Sequence, residues 1–250
     1  MRQRLESRPV FRAELVRSFR LFSAFRKEQM DPEFFYGLLA RDTVSQLGSY
    51  ADLDGAMIVD VGGGAGFFTE ALRGAGAWVT CIDVDAGEMT SRTGLAPRGA
   101  VLGSALRLPL KTASVDLCFS SNVLEHVPDP LAMADEMVRV TRSGGIVFLS
   151  YTNWLSPWGG HETSPWHYLG GQWAARRYER RNGRRPKNMY GETMFGVSVA
   201  TILRWARRQR VADVVDVLPR YLPARLRHIV RVPILREFLT WNLVLVLRKR

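Results

Sequence analysis

Val59-Asp60-Val61-Gly62-Gly63-Gly64-Ala65-Gly66-Phe67-Phe68 decides how this 250-residue chain is read. An apolar run from Met57 to Val61 carries an acid at Asp60 and breaks into glycines, after which Phe67 and Phe68 open a new apolar pattern. Strand, glycine-only turn and helix, in that order, present backbone N–H groups and a helix N-terminus to a nucleotide-like ligand. Glycines at 62, 64 and 66 give Asp-x-Gly-x-Gly-x-Gly. The dinucleotide fingerprint, Gly-x-Gly-x-x-Gly, fails, because the last position falls on Phe67 or Thr69. The turn is therefore not read as a pyrophosphate cradle.

The next apolar, β-branched run is Trp78-Val79-Thr80-Cys81-Ile82-Asp83. It reads as a second strand ending in a carboxylate roughly 20 residues past the glycine turn, where an acid accepts hydrogen bonds from ribose hydroxyls. The alternative is that Asp83 caps the following helix, with Asp85 and Glu88 in its first turn.

Two later stretches complete a pattern. Ser114-Val115-Asp116-Leu117-Cys118-Phe119-Ser120-Ser121-Asn122-Val123-Leu124-Glu125-His126 and Val140-Thr141-Arg142-Ser143-Gly144-Gly145 follow in order. With the first two elements, they resemble the class I S-adenosylmethionine-dependent methyltransferases, most closely the small-molecule and lipid-acting branch, over about residues 55 to 150. That resemblance implies an α/β fold with a doubly wound, Rossmann-like, mostly parallel sheet. The last strand would be antiparallel, inserted at the sheet edge. It also implies S-adenosyl-L-methionine as cofactor, held by Asp60, Gly62, Gly63, Gly64, Gly66, Asp83, Val84, Ser104, Ala105, Asn122 and Tyr36. The glycine turn would lie along the methionine moiety and Asp83 would hold the ribose. Ser104-Ala105 stand where the family usually has Asp-Ala beside the adenine, so one amino-group contact passes to another partner.

A narrower resemblance spans nearly the whole chain. Phe25-Arg26-x-Glu28-Gln29-x-Asp31-Pro32, Trp158-Gly159-Gly160-His161-Glu162, His167-Tyr168-Leu169-Gly170-Gly171 and Val232-Pro233-Ile234-Leu235-Arg236-Glu237 are similar to an actinobacterial methyltransferase group. The resemblance implies a cell-envelope lipid acceptor of the trehalose mycolate class.

On this reading the chain divides into an N-terminal helical lid (1–50), a cofactor-binding core (51–150), a substrate-cap insertion (151–196) and C-terminal helices and strands completing the sheet (197–250). Apolar residues at 11, 15, 19, 22 and 25, with arginines between them, predict an amphipathic basic helix from Phe11 to Gln29. Its stripe serves either as a lid over the cofactor or as a contact with an anionic leaflet. Asp31-Pro32 and Asp129-Pro130 each read as an N-cap followed by proline at the first helical position, and Ser198 reads as a cap for a helix to Arg208. Val211 to Leu218 and Trp241 to Leu247 read as strands. The apolar run from Phe238 to Leu247 is about half the roughly 20 residues a membrane span requires.

Charge is segregated. Residues 51–169 carry a net −6, whereas residues 170–250 carry +14, out of +11 for the whole chain. A basic tail of this kind predicts an anionic partner, nucleic acid, a phospholipid surface or an acidic substrate, against the plainer reading of solvated arginines. RNA is disfavoured: residues 119–124 lack an Asn/Asp-Pro-Pro-Tyr element, and no Pro-Cys pair occurs. A non-catalytic cofactor-binding protein is disfavoured by the intact Asp60, Gly62, Gly64 and Asp83. The N-terminus shows no secretory pattern, and both cysteines, Cys81 and Cys118, fall in apolar strands. A reduced, cytoplasmic protein is expected, without structural disulfide or metal and with peripheral membrane contact as a secondary feature.

The insertion holds Trp154, Trp158, Trp166, Tyr168, Trp173, Tyr178 and Tyr190, then a run of arginines. Aromatic walls and guanidinium groups suit a substrate cap, against a packed subdomain as the alternative. Methyl transfer to a hydroxyl needs a group that takes its proton, and His126, His161, Glu162 and His167 are the catalytic candidates.

Overall fold

The computed structural model describes residues 11–250 apart from Lys27 and Gln29. Alternating apolar runs and helical segments build one seven-stranded sheet in the order β3-β2-β1-β4-β5-β7-β6. Strands β1 (Met57–Val61), β2 (Trp78–Asp83), β3 (Val101–Leu102), β4 (Val115–Ser121) and β5 (Thr141–Thr152) pair in parallel. β6 (Ala212–Pro219) and β7 (Asn242–Lys249) pair antiparallel with each other, and β7 also pairs antiparallel with β5. The expected antiparallel last strand is present. Its expected place at the edge is corrected: β7 lies between β5 and β6, and β6 forms the edge.

The central strands read as continuous apolar runs because both faces are covered. On one face, Val59, Val147, Leu149, Leu243, Leu245 and Leu247 pack against α5 (Pro130–Val140) and α7 (Val199–Arg208). On the other, Ile58, Phe119, Phe148, Val244 and Val246 pack against α1 (Leu15–Phe25), α2 (Pro32–Leu47) and α3 (Phe67–Gly74). Alternation along β7 thus supplies both layers at once. Each buried Leu, Val or Phe contributes about 1.5–3 kcal/mol of transfer free energy.

Helix starts follow side-chain chemistry. Asp31 accepts the N–H of Phe34 at 3.0 Å, Asp129 that of Ala132 at 3.0 Å, and Ser198 that of Thr201 at 3.1 Å. Pro32 and Pro130 open α2 and α5, where a missing N–H costs nothing.

α1 is shorter than its apolar spacing predicts, and it faces differently. Ser18, Leu21 and Ala24 are buried, whereas Leu15, Val16 and Phe19 are 60 %, 77 % and 73 % exposed. The polar partner decides the rotation. Arg17 reaches inward to form a bidentate pair with Asp42 of α2 at 2.7 and 2.5 Å, and it also donates to the carbonyl of Arg220 at 2.9 Å. Within 151–196, α6 (Gly171–Asn182) and two short 3-10 turns, His161–Thr163 and Trp166–Leu169, give the insertion its own structure. Five-residue helices α4 (Ala86–Thr90) and α8 (Leu235–Leu239) complete the set. No described helix is long and apolar enough to cross a membrane.

Candidate active site

Parallel strands place the tips of β3, β2, β1 and β4 side by side along one sheet edge, where open α/β sheets bind ligands. The β1 turn is built so that its backbone is bare. Gly62 and Gly66 adopt φ +72° and +81°, and a Cβ on Gly62 would lie 2.3 Å from Cγ2 of Val123. A Cβ on Gly63 would lie 2.6 Å from Cys81 Sγ and 2.8 Å from Asp60 Oδ2. Asp60 itself is buried beneath the turn and accepts the Thr69 hydroxyl at 2.6 Å. Burial pushes its carboxyl up to about 6, against the pull of that hydrogen bond. Asp60 therefore shapes the turn from below.

At the β2 tip, Asp83 is half-buried and accepts two backbone N–H groups, Gly64 on Oδ2 at 2.9 Å and Asp85 on Oδ1 at 2.9 Å. Each oxygen keeps a lone pair. The helix-capping alternative is settled against Asp83, because Asp85 caps α4, accepting the N–H groups of Gly87 and Glu88. Val84 beside it is exposed. At the β3 tip, Ser104 is exposed with its Oγ 3.2 Å from the Leu106 N–H, next to half-buried Ala105. Across the β1 turn, Tyr36 of α2 stacks on Phe67 at 5.6 Å and donates its hydroxyl to Glu28 at 2.7 Å.

The β4 tip carries the remaining polar groups. Asn122 sits at φ +59°, a left-handed conformation that Asn tolerates, and accepts from Asn242 Nδ2 at 2.7 Å. Glu125 is buried, its Oε1 accepting the Thr152 N–H at 2.8 Å. Burial raises its pKa, against the opposing influence of His126. His126 Nδ1 lies 2.8 Å from the Thr193 carbonyl. A carbonyl only accepts, so Nδ1 carries a proton, and in the neutral ring Nε2 then presents a lone pair. The His126 and His161 rings face each other edge-on at 5.4 Å. Burial holds the His161 imidazole down at about 3, so it is neutral at physiological pH.

Among the catalytic candidates, the structure brings His126 and His161 together. Glu162 accepts from Asn188 Nδ2 at 2.9 Å, and its charge reaches Glu28. His167 is buried behind Gly160 and Trp154, with Ser156 O 3.2 Å from Nε2 and Ser164 Oγ 3.4 Å from Nδ1. Both its nitrogens are engaged in packing the insertion.

Besides Glu125, three groups at this end were missed in reading the sequence. Glu28 has a raised pKa through burial, offset by the Tyr36 hydrogen bond and reinforced by Glu125 and Glu162. Tyr221 and Arg220 are the others. Arg220 is fully buried and donates to three hydroxyls, Ser121 at 2.8 Å, Ser150 at 2.9 Å and Thr43 at 2.5 Å. Glu125 carried a usable signal, an acid set among Val123, Leu124 and Val127 just past a strand. Around these groups stands a half-buried aromatic cluster: Phe22 and Phe25 of α1, Trp158 of the insertion, Trp241 and Tyr221.

A bare glycine turn, an acid with free lone pairs at the next strand tip and a polar cluster beyond define a nucleoside-binding α/β enzyme. A methyltransferase-domain family model matches residues 59–149. An uncharacterized methyltransferase of Mycolicibacterium gilvum is 48% identical over 95% of this chain and 96% of its own length. One from Mycobacterium ulcerans is 49% identical over 96% of each. An S-adenosylmethionine-dependent methyltransferase from Mesorhizobium loti shares the fold, with TM-score 0.57 at 19% identity over 86% of this chain and 98% of that one. The chain belongs to this methyltransferase family and is an enzyme of that class.

Proposed function

We propose that the enzyme transfers a methyl group from S-adenosylmethionine to a hydroxyl of a lipid acceptor, a cell-envelope glycolipid of the trehalose mycolate kind. The turn at Gly62–Gly66 and the free lone pairs of Asp83 fit the cofactor, since a nucleoside's hydroxyls need acceptors and its backbone-facing edge needs a surface without Cβ atoms. When bound, the cofactor supplies an electrophilic methyl group on a sulfonium. Asp83 would hold the ribose, and the glycine turn would support the methionine moiety. Ser104 and Ala105 would stand beside the adenine, and Tyr36 and Asn122 near the reactive end. Displacement at a sulfonium carbon asks the protein chiefly to align reactants and exclude water.

The carrying observation is that buried Glu125 and half-buried Glu28 lie beside an aromatic wall beyond the β4 tip. Glu28, whose carboxyl is raised by burial and accepts the Tyr36 hydroxyl, is the proton acceptor on this reading. His126, its Nδ1 fixed on the Thr193 carbonyl, and His161, kept neutral by burial, would orient the acceptor oxygen. Phe22, Phe25, Trp158 and Trp241 offer surfaces on which sugar rings and alkyl chains pack. An apolar rim supports a lipid over a free metabolite. It comprises Leu15, Val16 and Phe19 on α1, Leu235 and Phe238 on α8, and Trp166, Leu169 and Trp173 on the insertion, all exposed. Tyr168 and Phe238, 6.4 Å apart, join insertion to α8. A shallow groove on α7 lined by Arg204, Arg207, Arg208 and Arg236 suits anionic headgroups.

Purified enzyme supplied with methyl-labelled cofactor is offered total envelope lipid and total RNA. Label is expected in lipid, and label in RNA alone overturns the reading. Asp83→Ala is expected to weaken cofactor binding about tenfold to a hundredfold by calorimetry, the loss of one or two hydrogen bonds to a charged acceptor. Binding unchanged by that substitution removes the ribose site.

A further inference from the structure

Glu125, His126 and His161 bring one carboxylate oxygen and two imidazole nitrogens within 4.8 Å of one another. Glu125 and His126 are each held by a hydrogen bond to the backbone of another segment. The Glu125 Oε1 bond to the Thr152 N–H leaves Oε2 buried and without a partner among the described residues. The His126 bond to the Thr193 carbonyl leaves Nε2 as a lone pair. That arrangement, an imidazole fixed by a carbonyl on its far nitrogen, is how metal-binding histidines are commonly oriented. His161 sits at φ +49°, a backbone conformation uncommon for a side-chain-bearing residue, and its buried Nε2 also has no partner. A buried polar atom left without a partner is costly, and here two occur in one cluster.

Local charge favours a cation. The Glu28 and Glu162 carboxylates belong to the same electrostatic neighbourhood as Glu125. Lys187, whose charge reaches His161, is itself paired with Glu88 at 2.6 Å. Two imidazoles and one carboxylate select by ligand type. Mg2+ and Ca2+ prefer all-oxygen shells, whereas mixed nitrogen and oxygen donors suit borderline first-row ions. Three protein ligands also leave coordination positions open, as catalytic metal sites do.

We infer that Glu125, His126 and His161 form a binding site for one divalent transition ion of the Zn2+ class. The site itself does not depend on the methyl acceptor. Under the proposed function, whose validity this consequence needs, the ion would ligate the acceptor hydroxyl and lower its pKa, the proton passing to Glu28.

The test uses the full, untagged chain, stripped with chelator and dialysed against Co2+ or Zn2+ without cofactor or acceptor. Metal content is read by mass spectrometry, and coordination by the visible absorption of Co2+. One ion per chain is expected, with affinity at least about tenfold lower in His161→Ala and in Glu125→Gln. Thermal midpoints without metal show whether each variant folds, and His161→Gln replaces the alanine variant should it not. No ion bound at micromolar concentration, or equal binding by folded variants and the native chain, overturns the site. Because neither donor nor acceptor is present, that failure is separate from a failure of methyl transfer.

Discussion

A methyl group on Gly62 would lie 2.3 Å from Val123 Cγ2, at a backbone φ of +72°. The nearest atom belongs to a β-branched side chain with little freedom to move away. Gly62→Ala is therefore expected to lower stability by about 2–4 kcal/mol, overpacking added to left-handed strain. Chemical denaturation measures it, and a cost within experimental error would show that the turn relaxes. Asp60 gives a pH signature. Its native pKa of about 6 stands above the ordinary 3.8, so the native state binds the proton more tightly than the unfolded chain. Stability from this group is full below about pH 4 and is lost as pH rises through 6. Asp60→Asn keeps an acceptor for Thr69 and removes the titration. It is expected to gain up to about 3 kcal/mol relative to the native enzyme between pH 4 and pH 8, the linkage value of a two-unit shift. Denaturation at both pH values reads the difference, and a constant difference would mean that Asp60 is ionised throughout. These roles were partly legible. Glycine spacing announced a bare turn and Asp83 an acid at a strand tip. That Glu28 is half-buried was not legible, because burial of an acid is decided by residues distant in sequence, whereas Glu125, set among apolar neighbours, carried a signal in the chain itself.

Among the elements, α1 departs most from its sequence pattern. Apolar spacing at 11, 15, 19, 22 and 25 describes a single stripe, yet Phe22 and Phe25 face the aromatic cluster while Leu15 and Phe19 face outward. Arg17 accounts for the rotation. Its pairing with Asp42, both side chains 10% exposed or less, cannot be swung into solvent without stranding a buried carboxylate. Periodicity records which residues are apolar, and not which of two apolar faces a buried ion pair will turn inward. The outward face has a measurable consequence. Replacing Leu15 and Phe19 by serine is expected to change unfolding free energy by no more than about 0.5 kcal/mol per exposed site. The same change should lower binding to anionic phospholipid vesicles several-fold, since interfacial affinity scales with buried apolar area. Sedimentation with vesicles of phosphatidylglycerol checks this, and unchanged binding would show that α1 takes no part in lipid contact. By contrast, α2, α5 and α7 began where Asp31, Asp129 and Ser198 said they would, because a cap acts through neighbours three residues away.

For the molecule as a whole, the parallel half of the sheet was readable and the antiparallel half only in part. Apart from β3 and β4, which a non-helical segment joins, successive strands from β1 to β5 are separated by helices, so the nearest neighbour in sequence constrains the topology. Where β7 inserts depends on pairing over long separations, Ile146 with Arg248 for example, which no local pattern encodes. Residues 151–196 were legible as aromatic and basic but not as a fold, since their turns close on tertiary contacts such as Trp154 against Tyr190. The position of β7 reaches beyond architecture. β5 is made about a hundred residues before the strand that must lie against it, and β6 has no other partner in the sheet. During synthesis, therefore, Phe148 and Leu149 wait with one flank open until residues 242–249 leave the ribosome. A chain without residues 242–249 would leave that flank of β5 as a hydrophobic ledge, and β6 would lose its only partner in the sheet among the described residues.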